Sequence, residues 1–67
     1  MKNRIKEFRK IKGYRQEDLA VELNVSRQTI NAIENNKYSP TLELAIRLAS
    51  LLKVRVEDLF LFEDNKK

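Results

Sequence analysis

Apolar residues recur at helical spacing along most of the 67-residue chain. Ile5, Phe8 and Ile11 form one stripe, which predicts a first helix over about Lys2–Lys12. Gly13, the only glycine, follows where a left-handed residue ends a helix without steric penalty. Leu19, Ala20 and Leu23 predict a second helix over about Gln16–Leu23. Glu17 and Asp18 lie in its first turn, where the helix dipole favours anions. Asn24 is the next candidate for left-handed backbone, and Ser26 is a favoured N-cap for the helix after it. The turn from Leu23 to Ser26 is too short for two helices lying antiparallel with a long loop between them. Small Ala20 lets the third helix approach closely, and Val25 fills the corner.

The third helix should run from Arg27 to about Asn35. At about 100° per residue, Ile30 and Ile33 share its inner face. Gln28, Asn31, Ala32 and Asn35 then point outward, with Arg27 on the shoulder. A merely solvated face needs no such set, whereas Arg, Gln and Asn can each form paired hydrogen bonds with nucleic-acid base edges. The loop "NKYSP" ends at the lone Pro40, and Thr41 can cap a fourth helix over about residues 41–52. Its sequence, "LELAIRLASLL", is apolar enough to be buried on most of its circumference. A short fifth helix is expected at about Val56–Leu61. The tail "LFLFED" holds more apolar surface than one face of a short helix can hide.

Size and composition narrow the class. One domain spanning 1–67 is expected, and a chain this short buries only about 60% of the surface that it exposes when unfolded. With no Cys and no His, neither disulfides nor the commonest zinc sites can supply the missing stability. Regular helix packing, association with another chain, or both must supply it. The same absence, together with the lack of a clustered carboxylate pair, leaves little for acid–base or metal chemistry, so no enzyme and no cofactor is expected. No segment approaches the roughly 20 apolar residues that span a bilayer, and the start "MKNRIKEFRK" lacks the core of a signal peptide, so a cytoplasmic protein without a membrane partner is expected. No linker, internal repeat or room for a small-molecule pocket is evident.

The net charge is +4, and its placement is informative. Residues 1–15 hold Lys2, Arg4, Lys6, Arg9, Lys10, Lys12 and Arg15 against the single acid Glu7. Residues 16–26 hold Glu17, Asp18 and Glu22 and no base. A concentrated positive lobe suits a polyanion, although it also suits a solubilising face.

Across about Ile5–Phe60 the chain resembles the phage repressor and Cro-type helix-turn-helix regulators, in their small stand-alone form. Gln16 in the first turn of helix 2, Ala20, the Leu23–Ser26 turn, Ile30, Ile33–Glu34 and the apolar fourth helix carry the resemblance. It implies an all-α, compact five-helix domain with the helix-turn-helix at about 16–35 and helix 3 inserted in the major groove of double-stranded DNA. It also implies base contacts from Arg27, Gln28, Thr29 and Asn31. Phosphate contacts are implied for Gln16, Asn35, Lys37 and Tyr38, and a structural ion pair for Arg9 and Glu34. Ser26 and Arg15 are further phosphate candidates, Arg15 as a residue the family does not usually carry. Two departures from the family stand out. Arg15 and Arg55 replace the usual capping residues of helices 2 and 5, a loss that typically costs about 1 kcal/mol. Asn24 and Lys53 replace glycines at helix ends, Lys being the poorer choice for left-handed backbone.

The function expected is that of a sequence-specific transcriptional regulator, a repressor binding a palindromic operator as a homodimer. The alternative is an antitoxin-type module that binds a partner protein and regulates its own operon. The dimer interface is expected in the C-terminal segment, about 56–63, and at the end of helix 4, as one exposed patch of Leu51, Leu52, Phe60, Leu61 and Phe62. A short strand at Phe60–Phe62, pairing with residues 1–4, is a variant of that arrangement.

Overall fold

A computed structural model describes residues 2–61. In chain order the elements are β1 (Lys2–Asn3), α1 (Ile5–Ile11), α2 (Gln16–Leu23), α3 (Arg27–Glu34), α4 (Leu42–Leu52), α5 (Val56–Leu59) and β2 (Phe60–Leu61). The two strands pair antiparallel, Lys2 opposite Leu61 and Asn3 opposite Phe60. Arg4 N–H continues the contact by donating to the Leu59 carbonyl at 2.8 Å. No helix among the described residues is long and apolar enough to cross a membrane.

The core forms around α4, whose Leu44, Ala45, Leu48, Ala49 and Leu52 are buried with Leu19 and Leu23 of α2 and Ile30 and Ile33 of α3. Ile5 and Leu59 close it from the two ends of the chain. Helix 4 is less enclosed than its composition suggests. Leu42 and Ile46, one turn apart, remain 73% and 51% exposed.

The short terminal strand pairing held out as a variant is present, as β2 against β1, and it shortens both terminal helices relative to the helical pattern. The first helix begins at Ile5, because Lys2 and Asn3 are drawn into the sheet and the Asn3 side chain accepts the Ile5 N–H at 3.1 Å. Ile11 is exposed, since Arg9 takes the inward position one turn after Ile5, and Ile11 falls about 120° away from Ile5. Helix 5 stops at Leu59, and the backbone straightens into β2, which buries Phe60.

Each of the first four helices ends in the same way. Gly13, Asn24, Asn36 and Lys53 have φ of 81°, 58°, 63° and 60°. The N–H of each bonds back to a carbonyl three residues earlier, and the next N–H reaches five residues back, as in Tyr14 to Arg9, Val25 to Ala20, Lys37 to Ala32 and Val54 to Ala49. This pattern satisfies carbonyls that a helix end otherwise leaves without partners.

At the helix starts, Ser26 and Thr41 cap as expected, accepting from Thr29 and Leu44 N–H at 3.1 and 3.2 Å. A guanidinium has no acceptor with which to cap. The carboxylates of Asp18 and Asp58 make the reciprocal contact instead, accepting the Arg15 and Arg55 backbone N–H at 2.7 and 3.4 Å. Their companion arginines thus lose only half of a capping box. The Arg55 guanidinium also holds the Asp58 carboxyl below its ordinary pKa.

Lys53 bears the clearest local strain, since left-handed backbone costs an L-residue roughly 1–2 kcal/mol. Lys53→Gly should therefore stabilise the domain by about 1 kcal/mol, raising Tm by about 4–8 °C. A thermal scan showing an unchanged or lower Tm would contradict that account.

Candidate nucleic-acid interface

Helices α2 and α3 meet across the tight turn Asn24–Val25–Ser26. Asn24 supplies the left-handed residue, Val25 N–H returns to the Ala20 carbonyl at 3.0 Å, and Ala20 is buried where the helices approach. With Ile30 and Ile33 inward, Arg27, Gln28, Asn31 and Asn35 are left exposed. Arg27, Gln28 and Asn31 line one shallow hollow together with Gln16 from α2. A second hollow adjoins it, lined by Arg9, Arg15, Gln16, Glu17 and Arg27. Two helix starts thus converge on one concave, cationic surface.

A buried carboxylate fixes the angle of α3. Arg9 Nε donates to Glu34 Oε2 at 2.6 Å, and Arg9 Nη2 donates to Oε1 at 3.3 Å. Gln16 Nε2 adds a bond to Oε1 at 3.0 Å, and Arg9 Nη1 donates to the Tyr14 carbonyl at 3.1 Å. The Arg9 and Glu34 side chains are only 10% and 2% exposed. One residue from each of α1, α2 and α3 therefore meets at a single acid.

The remaining candidate residues occupy three settings. Ser26 Oγ is the cap of α3, and it also shares a hydrogen bond of 2.9 Å with the Thr29 hydroxyl. Thr29 is half-buried, so its hydroxyl is already engaged. Asn35 donates from Nδ2 to the Asn31 carbonyl at 2.9 Å. Lys37 and Tyr38 are exposed on the loop that follows. Arg15 lies 3.8 Å from Asp18 with its side chain 81% exposed, a loose pairing that leaves the guanidinium accessible.

The positive lobe is thinner than its sequence suggests. Arg9 is consumed by Glu34, and Arg4 pairs with Glu7 at 3.0 Å while its guanidinium lies over the Phe8 ring. That bond to Arg4, and then its charge, hold the Glu7 carboxyl below its ordinary pKa. Lys2, Lys6, Lys10, Lys12 and Arg15 remain exposed.

A family model described as helix-turn-helix matches residues 5–59. The chain belongs to the Cro/C1-type helix-turn-helix family. This regulator is 50% identical over 66 residues to an HTH-type transcriptional regulator of Methanocaldococcus jannaschii, covering 98% of the present chain and 100% of that one. Its fold is similar to that of the restriction-modification controller protein C.AhdI from Aeromonas hydrophila. That match has a TM-score of 0.77 at 30% identity, over 85% of this chain and 86% of the other. A chain of the SinR protein/SinI protein complex aligns with a TM-score of 0.74 at 33% identity, over 81% and 53% of the two chains. The protein is thus a DNA-binding transcriptional regulator of helix-turn-helix type.

The apolar patch expected near the carboxyl end needs correction. Leu52 and Phe60 are 0% and 3% exposed, packed into the core of their own chain. Leu51 is half-buried and Leu61 is exposed. Phe62 and the end of the 56–63 segment lie outside the described residues. Sequence reasoning also passed over two features of the finished regulator. One is Asn36, whose type tolerates left-handed backbone as well as Asn24 does. The other is Asn3, for which no local signal exists.

Because Glu34 is buried, neutralising it strands a guanidinium. Glu34→Gln should destabilise this regulator by about 3–5 kcal/mol in denaturant unfolding, far more than loss of an exposed pair. A change within about 0.5 kcal/mol would show that the carboxylate does not hold the three helices together.

Proposed function

We propose that the regulator is a repressor that acts in the cytoplasm by occupying a two-fold symmetric operator as a homodimer, with α3 of each copy in the major groove. The observation that carries this reading is the exposed, polar face of α3, held at a set angle by the buried Glu34 carboxylate. Arg27 can donate two bonds to guanine O6 and N7, and Gln28 or Asn31 can pair with adenine N6 and N7. Thr29 contributes less than the other three, because its hydroxyl already bonds Ser26. Arg15, Gln16, Ser26, Asn35, Lys37 and Tyr38 flank this face and grip the sugar–phosphate backbone. The role is binding, without catalysis.

One helix reads few base pairs, so two copies spaced about 34 Å apart, one DNA turn, provide the needed selectivity. With Leu52 and Phe60 committed to the core, the contact between copies rests on Leu61 and the exposed part of Leu51. A second reading, a module that binds a partner protein, draws on the SinR neighbour, whose structure holds SinI as well. The exposed Leu42 and Ile46 offer such a partner an apolar face.

Selection of bound sequences from a random DNA pool tests the repressor reading. A two-fold symmetric consensus supports the repressor, and recovery of no consensus defeats it. Within that assay, Gln28→Ala should lower the ratio of selected to random affinity by about 1–3 kcal/mol. Lys37→Ala should weaken both about equally and flatten the dependence of log affinity on log salt by roughly one unit. An unchanged ratio for Gln28→Ala would displace α3 from the groove. Sedimentation at micromolar concentration should show a dimer for the wild type and a shift toward monomer for Leu61→Asp. A wild type sedimenting as a monomer would remove the dimer.

A further inference from the structure

The carboxyl end of α3 is held from an unexpected direction. A helix of this length leaves its last carbonyls unpaired unless something beyond it donates. The turn supplies Asn36 N–H to the Ile33 carbonyl at 3.1 Å and Lys37 N–H to the Ala32 carbonyl at 2.9 Å. A third donor comes from the other end of the chain: Asn3 Nδ2 bonds the Ile33 carbonyl at 2.8 Å and the Asn36 side-chain oxygen at 3.1 Å. The same side chain accepts the Ile5 N–H through Oδ1 at 3.1 Å. Those partners allow only one amide orientation, since a carbonyl must receive a donor and an N–H must find an acceptor. Asn3 is in turn fixed by its strand, which pairs opposite Phe60 while Arg4 N–H bonds the Leu59 carbonyl.

We infer that Asn3 is a positioning residue for DNA reading, transmitting the hold of the carboxyl-terminal strand on β1 to the end of α3 and to the Asn35–Tyr38 loop. The inference rests on the proposed role of α3 in the major groove. Glu34 sets the angle of α3 from the side of α1 and α2. Asn3 holds the Ile33 carbonyl and the Asn36 side chain from the side of the sheet. Without it, the backbone-gripping loop and the outer face of α3 lose their fixed relation.

Asn3→Ser separates the clamp on α3 from the bond that Asn3 accepts from Ile5 N–H. A serine hydroxyl can accept from the backbone N–H two residues on, as Asn3 does for Ile5, but it is too short to reach Ile33 and Asn36 and adds no charge. Amide hydrogen exchange at Asn36 and Lys37 should quicken about three- to tenfold, the worth of one net hydrogen bond, while the Phe8 amide in α1 keeps its wild-type rate. Affinity for selected DNA should fall by a similar factor at a temperature where the variant is fully folded, and affinity for random DNA should fall less. Approached from the loop, Asn36→Gly keeps the left-handed backbone and removes one of the two acceptors. It should quicken Lys37 exchange less than Asn3→Ser does, and it should add little when the two are combined. The inference is overturned if Asn3→Ser leaves Lys37 exchange unchanged, if exchange quickens equally along the whole chain, or if selected-DNA affinity stays at the wild-type value while exchange quickens. A wild type that selects no DNA sequence would defeat the functional reading alone, since the exchange measurement needs no DNA.

Discussion

A carboxylate with almost no access to water must be matched by donors on every side, and Glu34 imposes that demand on half of the molecule. Taking such a charge out of water costs several kcal/mol before any partner is counted. Arg9 contributes two donors and Gln16 a third. Because those partners sit on different helices, satisfying the charge also fixes α3 relative to α1 and α2. An apolar contact of equal area would hold the helices together but tolerate sliding, since hydrophobic attraction has no direction. A forked guanidinium on a carboxylate does not slide, because its bonds are directional and paired. If the outer side chains of α3 meet base edges, as proposed, that rigidity matters more than any stability gained.

How far the sequence foretold this arrangement depends on whether each signal was local. Helices α2, α3 and α4 follow from apolar spacing within a few turns, with Ser26 and Thr41 marking two starts. The Arg9–Glu34 pair was legible only through the family resemblance, because 25 residues separate its members and nothing in the spacing joins them. The two-residue strands were legible only as a variant, from the excess of apolar residues in the tail, and their bounds were not. A strand of that length has no periodicity of its own and exists only because its partner lies at the opposite end of the chain. Ile11 misled for a simpler reason: apolar character pointed inward, but the inward position was already taken by a charged residue with a buried partner. Leu52 and Phe60 misled in the reverse sense, since the core absorbed the apolar surface that the tail seemed unable to hide.

Stability in so small a domain comes as much from the ends of its elements as from its centre. Four helices close on left-handed residues, only one of which is glycine. Two starts rely on an aspartate three residues in, rather than on a cap of the usual kind. These substitutions looked like losses when judged one residue at a time. Each replacement keeps part of the bonding at its helix end: the turns at Asn24 and Lys53 retain both backbone bonds, and Asp18 and Asp58 accept the Arg15 and Arg55 N–H.

Charge is divided between two tasks in the same way. Arg4 and Arg9, which the sequence places within the positive lobe, are spent on Glu7 and Glu34. The lysines that remain exposed on α1, Lys6 and Lys10, bring a positive field but no fixed geometry. A field of that kind raises encounter rates and adds salt-dependent affinity without distinguishing one sequence from another. Discrimination has to come from side chains whose positions are set by the fold. On the proposed reading those are the residues on the outer face of α3, a helix bonded by Glu34 to Arg9 and Gln16 and, at its end, by Asn3. The separation is physical: a lysine can be exchanged for another base elsewhere on the surface, but a reading side chain is useful only while both holds on its helix persist.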